Sequence, residues 1–161
     1  MSFDLKNLNL LFIKKTDYLL DESIENIRSK IKVITDKKWS DFSENITGTL
    51  NSNNTFKFTP KWSFVYIRWI ENSPAYLTGH VSQESTKTKL SIKTRPNSGF
   101  VLVFYVLIIL FLYGLFTLQI SDRDTIFKLL LDLFFIFIIY AFMKKFVTGL
   151  DRRFKKILEL N

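Results

Sequence analysis

An uncharged apolar run near the C-terminal end places the strongest constraint on how this chain can fold. Residues 100–120 read FVLVFYVLIILFLYGLFTLQI, which is 21 residues without a charged side chain. A helix of about 20 such residues is long enough to cross the hydrocarbon core of a bilayer. Burying the run inside a soluble protein would need a large apolar cover, which the rest of a 161-residue chain cannot provide. The run therefore predicts a transmembrane helix.

A second apolar run follows after a short polar break. Residues 126–143 are mostly apolar but include Lys128 and Asp132. On the insertion scale a central Asp costs about 2.5 to 3.5 kcal/mol, whereas each Leu, Ile or Phe returns about 0.3 to 0.6 kcal/mol, so a dozen apolar residues outweigh it. Lys128 lies near the membrane surface, where its long side chain can reach water. The break SDRDT at residues 121–125 is short, so we predict an antiparallel hairpin with spans over 100–120 and 126–143.

The charges that flank the two runs predict their orientation. The turn carries one basic residue, Arg123, between two acidic residues, whereas both outer flanks are basic. The basic residues are Lys87, Lys89, Lys93 and Arg95 before the first run and Lys144, Lys145, Arg152, Arg153, Lys155 and Lys156 after the second. By the positive-inside rule both termini face the cytoplasm. We therefore expect a multi-pass protein of the cell (inner) membrane.

The basic tail also bears on what the chain binds. The formal net charge is +8, and residues 144–161 alone carry six basic and two acidic side chains beside the apolar runs. That position favours anionic lipid over nucleic acid, so we predict that Lys144, Lys145, Arg152, Arg153, Lys155 and Lys156 contact lipid headgroups. The spacing of the apolar residues Val147, Leu150, Phe154, Ile157 and Leu158 predicts an amphipathic helix over 147–161, with Gly149 as a break from the second span. Its apolar face can lie along the headgroups or pack on the cytoplasmic domain, and both placements stay open.

Asp132 is the polar group that needs explaining inside the second run. If residue 120 is level with residue 126, Asp132 lies opposite Tyr113 and Gly114, where the tyrosine hydroxyl can donate to the carboxylate and the glycine permits close helix contact. Lys128 lies one turn away on the same helix face and is a second partner. An intramembrane polar group that holds the two helices together is the favoured interpretation. The alternative is a proton or ion site.

The first 98 residues carry the patterns of a separate domain. Residues 8–15 are typical of a strand, and a helix is predicted to begin near Thr16 or Asp17, because either residue can cap it. An apolar stripe then recurs in steps of four and three residues, which indicates a helix with one buried face. The stripe consists of Leu20, Ile24, Ile27, Ile31 and Ile34.

Strand patterns separated by turn residues follow this helix. They cover residues 45–50, 55–60, 63–70, 75–83 and 88–94, with a hairpin-turn composition at residues 51–54. Gly48 and Gly79 lie inside strand patterns, which indicates bulges or close backbone approach. The predicted fold class is an α+β cytoplasmic domain over 1–98, made of a strand, a helix and a four-stranded antiparallel meander. A transmembrane helical hairpin over 99–146 and the amphipathic helix over 147–161 complete the chain.

The order of three segments resembles a known pattern. ENITGTLNSNNTFKFTPKW, SPAYLTGHV and LSIKTRPN, followed by an apolar hairpin and a basic tail, resemble a family of small, uncharacterised bacterial membrane proteins. The resemblance covers residues 40–160, and its matched positions are Gly48, Phe56, Pro74, Gly79, Ile92 and Pro96. These positions are structural, so the resemblance implies a fold and no activity. The family pattern has an Arg-Asn-Ser-like turn. This chain departs from it, because Trp69, Ile70 and Glu71 separate Arg68 from Asn72 and Ser73.

Residue patterns for catalysis are missing from the sequence. There is no cysteine, which excludes disulfides, thiolate metal sites and a cysteine nucleophile. His80 is the single histidine, and metal sites normally need three or four ligands. No G-x-S-x-G elbow, Walker A loop or G-x-G-x-x-G fingerprint occurs. We therefore expect no enzymatic activity, no cofactor and no metal.

One aromatic run allows two interpretations. Trp62, Phe64, Tyr66 and Trp69 alternate near basic residues, a pattern that can stack single-stranded nucleic acid. Trp and Tyr also favour the headgroup zone of a membrane. Because the predicted domain is tethered beside lipid, we expect half-buried or membrane-facing aromatics and no nucleic-acid partner.

Three functions remain compatible with the sequence. The first is a membrane-anchored, non-enzymatic module that acts through protein or lipid contacts at the cytoplasmic face, with membrane, anionic lipid and an unknown protein as partners. The second is a subunit of an oligomeric transporter or channel that uses Asp132. The third is a ligand-binding fold whose helix and sheet enclose an apolar pocket.

Overall fold

An antiparallel sheet, a helix packed on it and a long helical hairpin make up the fold. The computed structural model describes residues 12–36, 44–61, 72–117 and 123–160. Its elements are β1 (Lys14–Leu20), α1 (Ile24–Asp36), β2 (Ile46–Leu50), β3 (Thr55–Pro60), β4 (Ala75–Glu84), β5 (Lys87–Pro96), α2 (Ser98–Phe116) and α3 (Arg123–Ile157). The predicted α+β class with two long apolar helices is confirmed.

The five strands form one sheet in the order β1-β5-β4-β3-β2, and every neighbouring pair is antiparallel. Strands β2 to β5 follow one another as a four-stranded meander, and β1 joins at the edge beside β5. Tight turns connect the strands where Asn54 and Ser85 adopt a left-handed backbone, with φ of 61° and 56°. The predicted turn at residues 51–54 forms, since the Asn51 amide donates to the Thr55 carbonyl oxygen at 2.8 Å. The predicted strand over residues 63–70 lies outside the described residues.

The boundary between β1 and α1 corrects the sequence prediction. Thr16 and Asp17, the predicted helix start, lie inside β1, and the strand continues to Leu20. β1 pairs with β5 over seven residues, from Lys14 opposite Thr94 onwards. That pairing satisfies the backbone of a whole segment, which outweighs the local capping preference of two residues. Residues 8–11 of the predicted first strand lie outside the described part of the chain.

α1 begins later, with a different cap. The hydroxyl of Ser23 accepts a hydrogen bond from the Asn26 amide at 3.2 Å, which is the N-cap arrangement. The predicted apolar stripe is present on α1 from Ile24 onwards, and its buried members are Ile27, Ile31 and Ile34. Leu20, the first predicted member of the stripe, belongs to β1 and packs at the edge of the same core.

The core lies between one face of the sheet and two helices. α1 covers part of this face, and the C-terminal part of α3 covers the rest. Phe154 of α3 is fully buried and stacks on Phe56 with ring centroids 5.2 Å apart, while Phe58 lies 5.5 Å from it. The last part of α3 is therefore a core helix of the domain.

The two strand glycines make room for aromatic rings. Gly48 pairs with Phe58 and Gly79 pairs with Phe56 in continuous antiparallel registers. A Cβ atom at either glycine would collide with the ring of its partner and with a neighbouring carbonyl oxygen. The sequence predicted either bulges or close backbone approach at these glycines. Close approach is confirmed, and both strand pairings continue past the glycines without a bulge.

α3 is one continuous helix from Arg123 to Ile157. The predicted break at Gly149 is wrong, because residues 147–157 continue the same helix. Their apolar face is buried against the sheet, with Leu150 and Phe154 almost fully inaccessible. Of the two placements that the sequence left open for this face, packing on the domain is the one observed. Gly149 has no atom within 4 Å of where a Cβ would be, so no close packing requires a glycine there.

The first helix of the hairpin is joined to the sheet without a linker. β5 ends at Pro96 and α2 begins at Ser98, with Asn97 as the N-cap between them. The buried Asn97 side chain accepts from the Gly99 amide at 2.7 Å and donates to the Ser73 carbonyl oxygen at 2.8 Å. Both hairpin helices are thus fixed to the domain, one through this cap and the other through the core.

Candidate functional site

Apolar side chains on α2 and on the first half of α3 are exposed. They include Ile109, Leu110, Phe116, Phe127, Leu130 and Phe137, each at least half exposed. In the most apolar 18-residue stretch of each helix, only 11% and 6% of the stretch is buried. A core helix of a soluble protein would be mostly buried. Both helices are long and apolar enough to cross a membrane.

The two hairpin helices approach each other at Gly114. A Cβ at this position would lie 2.7 Å from Leu129 Cδ2, so the glycine allows close packing there. The predicted close contact at Gly114 is observed, but its partner differs. Counting residues along two antiparallel helices predicts Asp132 opposite Gly114, whereas the structure brings Leu129 there. The offset of three residues is close to one helical turn.

The predicted polar pair is not joined within one chain. Tyr113 is 68% exposed, and Asp132 is partly exposed on α3. In the described part of the chain, no hydrogen bond or ion pair connects Asp132 to Tyr113 or Lys128. Since Gly114 faces Leu129, Tyr113 is displaced along the hairpin from the level of Asp132. Among the described residues, the carboxyl of Asp132 therefore has no hydrogen-bond or ion-pair partner.

The six basic residues after the second apolar run fall into two groups. Lys144, Lys145 and Arg152 are exposed. The other three contact the domain: Arg153 donates to the Asn45 carbonyl oxygen at 3.4 Å, the Lys155 ammonium lies 5.4 Å from the centre of the Tyr18 ring, and Lys156 lies 3.2 Å from Glu44. Lys156 is nevertheless 72% exposed, so four of the six side chains are directed outwards.

A cluster of aromatic rings lies where the apolar part of the hairpin meets the domain. Phe12 contacts Phe104 edge-on with ring centroids 5.3 Å apart, and Tyr140 lies 6.2 Å and 6.4 Å from the two rings. The Lys144 ammonium is 5.9 Å from the centre of the Tyr140 ring. Aromatic rings beside lysines are typical of the membrane–water interface.

An open groove of about 460 Å³ lies beside this cluster. Phe137, Tyr140 and Ala141 line its apolar part, and Lys144 and Lys145 line its other end. The groove therefore combines an apolar wall with two ammonium groups. That combination matches the acyl chain and the phosphate of an anionic lipid.

A buried carboxylate ties the edge of the sheet to α3. Asp151 is almost fully buried and lies 2.6 Å from the Lys14 ammonium and 3.3 Å from that of Lys155. A hydrogen bond with Tyr18, together with the nearby Asp151 charge, raises the pKa of Lys155 above its ordinary value. These contacts join β1 to the part of α3 that lies beyond the apolar run.

In the described part of the chain, no helix covers the second face of the sheet, which is polar. Tyr76 lies on it between two cations, with Lys57 4.8 Å and Arg95 4.7 Å from the ring centre. His80 is exposed on this face, and no group of three or more His, Cys, Asp or Glu residues that could hold a metal occurs within the described residues. A shallow cavity of about 490 Å³ lies here, opposite α1, rather than between the helix and the sheet.

This open face was not predicted from the sequence. The signal was present in β5, where Lys87, Lys89, Ser91, Lys93 and Arg95 alternate with apolar and small residues. Period-two alternation places all five on one face, but the residues that join them from other strands depend on the register. The aromatic residues Trp62, Phe64, Tyr66 and Trp69, considered for nucleic acid, lie outside the described residues.

No protein-family model, curated protein or solved structure matches this chain.

Proposed function

We propose that the protein is a membrane-anchored, non-enzymatic module whose α+β domain is held at the cytoplasmic face of the cell (inner) membrane. In this proposal the α2–α3 hairpin crosses the bilayer twice, and the domain acts through lipid or protein contacts. The observation that carries it is the exposure of apolar side chains on two helices of sufficient length. In water, such a surface is far larger than the apolar patches of soluble monomers.

The distribution of charge supports the orientation. The exposed residues Lys144 and Lys145 follow directly on the apolar part of α3, and the basic strand β5 leads into α2. The turn between the helices contains a single basic residue. With the domain and both termini on the cytoplasmic side, every basic cluster lies on the side that the positive-inside rule favours.

The junctions support a rigid attachment. Asn97 fixes the start of α2 to the segment before β4, because its side-chain amide donates to the Ser73 carbonyl oxygen, its backbone amide donates to the Pro74 carbonyl oxygen at 2.9 Å, and its side-chain oxygen accepts from the Gly99 amide. Phe154, on the same helix as the second span, packs in the core of the sheet. A domain fixed at both helices cannot swing away from the bilayer. Its open sheet face is consequently presented at a constant height and angle.

Lipid contact is proposed for Lys144 and Lys145. Both ammonium groups line the groove next to Tyr140, at the level where the apolar part of α3 ends. Basic side chains near an anionic surface contribute about 1 kcal/mol each. Arg152 is exposed about two turns further along the helix and extends the same cluster. The domain contacts of Arg153, Lys155 and Lys156 leave less of their charge available for lipid.

Membrane insertion is tested with arginine in the exposed apolar surface. Ile109→Arg/Leu130→Arg adds two charges at positions that are 65% and 62% exposed. If the hairpin spans the membrane, each costs about 2.5 to 3.5 kcal/mol, and the fraction of the protein that resists alkaline extraction from membranes falls sharply. Leu19→Arg/Val33→Arg is the matched control, because these residues are 58% and 57% exposed on the domain. Equal behaviour of the two variants, or a wild type that stays monomeric in water without detergent, contradicts the proposal.

Orientation is tested with reporters at two positions. A reporter that is active only in the cytoplasm is fused after Asp124 in one version and after Asn161 in another. We expect activity only for the fusion at Asn161, because the turn faces outwards. Activity of both fusions, or only of the fusion at Asp124, contradicts the proposed topology.

A second candidate function is a subunit of an oligomeric transporter or channel. It is favoured by Asp132, whose carboxyl has no hydrogen-bond or ion-pair partner among the described residues. A carboxyl in hydrocarbon is costly unless it is paired, protonated or facing water, and a second copy or an aqueous path can provide this. Asp132→Asn should abolish ion or proton flux in proteoliposomes without reducing insertion if Asp132 lines a path. Unchanged flux, or a loss of assembly alone, contradicts this candidate.

A further inference from the structure

The strand register brings lysines from three different strands into one row on the open face of the sheet. Lys15 of β1 pairs with Lys93 of β5, which pairs with Thr78 of β4, which pairs with Lys57 of β3. Neighbouring strands lie about 4.8 Å apart. The row therefore places two ammonium-bearing side chains side by side and a third two strands away, with a threonine hydroxyl between them.

This arrangement is unfavourable for the sheet by itself. Like charges directly opposite each other on antiparallel strands are destabilising, and neither Lys15 nor Lys93 forms an ion pair with the described part of the chain. Elsewhere on the same face lysines are paired, since Lys87 lies 2.9 Å from Asp21 and Lys89 lies 3.1 Å from Glu84. The fold thus neutralises the far end of this face and leaves the row uncompensated.

Hydroxyl groups accompany the lysines. The next row of the sheet consists of Asp17, Ser91, His80 and Thr55, again joined by the register. All four line the same cavity of about 490 Å³ as the three lysines, a volume within the usual range for small-ligand sites. Asp17 contributes the one negative charge, so three lysines and one carboxylate give a local excess of two positive charges. Ammonium groups and hydroxyl donors together suit phosphate oxygens.

From this geometry we propose that the cavity on the open face binds a phosphate-bearing ligand. Lys15 and Lys93 hold one phosphate group between them, and Lys57 reaches a second phosphate or the same one from the other side. Ser91 donates a hydroxyl hydrogen bond, whereas the Thr78 hydroxyl donates to the Lys93 carbonyl oxygen at 3.4 Å and only lines the site. The ligand supplies the negative charge that the row lacks.

The phosphate can come from a lipid headgroup or from a dissolved compound. Lys93 precedes Pro96 by three residues, so the row lies about 10 Å along the strand from the end of β5, which α2 follows after Asn97. With α2 in a bilayer, this distance is comparable to the Debye length at physiological salt. The site is therefore close enough to the surface for a large anionic headgroup, and open enough for a soluble phosphate ester.

Inorganic pyrophosphate is the probe that tests the shared chemistry. The full-length chain is purified in zwitterionic detergent, and binding is measured by titration calorimetry, so that the result does not depend on membrane insertion. We expect a single site whose affinity falls at least about tenfold in Lys15→Gln/Lys93→Gln, because two charge-assisted contacts are lost. Ser91→Ala should weaken binding by a smaller factor. The double variant should keep or increase its melting temperature, because the facing charges are removed.

A matched variant separates a built site from general attraction between charges. Arg28→Gln/Lys32→Gln removes the same two charges from α1, which covers the opposite face of the sheet. This control should bind pyrophosphate like the wild type. No binding by the wild type, or equal weakening in both double variants, overturns the proposal. Tighter binding of a single-stranded oligonucleotide, lost in Lys15→Gln/Lys93→Gln, overturns it too by assigning the face to nucleic acid.

Nanodiscs distinguish the two sources of phosphate. Pyrophosphate binding is compared in phosphatidylcholine discs that also contain phosphatidic acid and in discs that carry the same negative charge as a fatty acid, so that both surfaces repel pyrophosphate equally. If the lipid phosphate reaches the row, pyrophosphate competes with it and the apparent affinity is lower in the discs that contain phosphatidic acid. If the natural ligand is dissolved, the affinity is the same in both. Either result identifies the source, whereas failure of the insertion tests leaves the detergent titration unaffected.

Discussion

Phe154→Ala tests the claim that α3 is both a hairpin helix and a core helix. Phe154 is fully buried and packs against the rings of Phe56 and Phe58, at centroid distances of 5.2 Å and 5.5 Å. Phe137→Ala is the matched control, since Phe137 lies on the same helix but is 68% exposed. The two variants remove the same atoms from one helix, so any difference reports the environment of the side chain.

The expected loss of stability in Phe154→Ala follows from the burial of its side chain. Removing a buried Phe side chain costs about 3 to 5 kcal/mol, because the transfer free energy is lost and a cavity is left. A domain of this size is stable by about 5 to 15 kcal/mol, so Phe154→Ala should remove a large fraction of the free energy of unfolding. Phe137→Ala should change the stability of the sheet by no more than about 0.5 kcal/mol.

Hydrogen exchange of the strand amides provides the measurement. The full-length chain in detergent micelles is followed by native-state exchange at β3, β4 and β5, which reports the opening free energy of the sheet. We expect faster exchange across all three strands in Phe154→Ala and wild-type exchange in Phe137→Ala. A loss below about 1 kcal/mol in Phe154→Ala would show that the end of α3 does not belong to the core, against the cost expected for a buried Phe.

Three further outcomes are expected. Gly79→Ala should lower the melting temperature, because the added methyl group collides with Phe56, at a cost of about 1 to 3 kcal/mol; an unchanged melting temperature contradicts the close packing. Asp151→Asn should destabilise the domain by about 1 to 2 kcal/mol in urea unfolding, less than for a fully buried pair because Lys14 is 45% exposed. Because the pKa of Lys155 is raised in the folded state, its protonated side chain stabilises the fold at pH values below 10.5, the pKa in the unfolded chain. This stabilisation is lost as the pH rises through the folded-state pKa. As the pH is raised, Lys155→Met should therefore lose less of its free energy of unfolding than the wild type. Equal losses in the two proteins contradict this.

Predictions that depended on local composition were the successful ones. The two apolar helices, the meander of β2 to β5 and the turn near Asn54 follow from runs and alternations within a few residues of each other. Gly48 and Gly79 indicated close approach because glycine in a strand leaves space. The ring that fills each space comes from a neighbouring strand, which a single segment cannot reveal.

The errors at Thr16 and Gly149 share one cause. Thr16 has the capping chemistry of a helix start, and Gly149 has a weak helix propensity, but each preference amounts to about 1 kcal/mol. The pairing of β1 with β5 and the packing of Leu150 and Phe154 on the sheet contribute more free energy than these local preferences. Tertiary contacts therefore decided both boundaries. The resemblance to small bacterial membrane proteins stays a prediction.

The sequence alone determined that this chain carries two long apolar helices and a basic excess beside them, because chain length, hydropathy and charge are properties of contiguous residues. Only the tertiary structure decided that α3 ends inside the domain core, that Gly114 meets Leu129 instead of leading to an Asp132–Tyr113 bond, and that Lys15, Lys57 and Lys93 form a row. Each of these depends on the register between segments far apart in the chain. Register is set by the sum of many packing and pairing free energies, and no local pattern contains that sum.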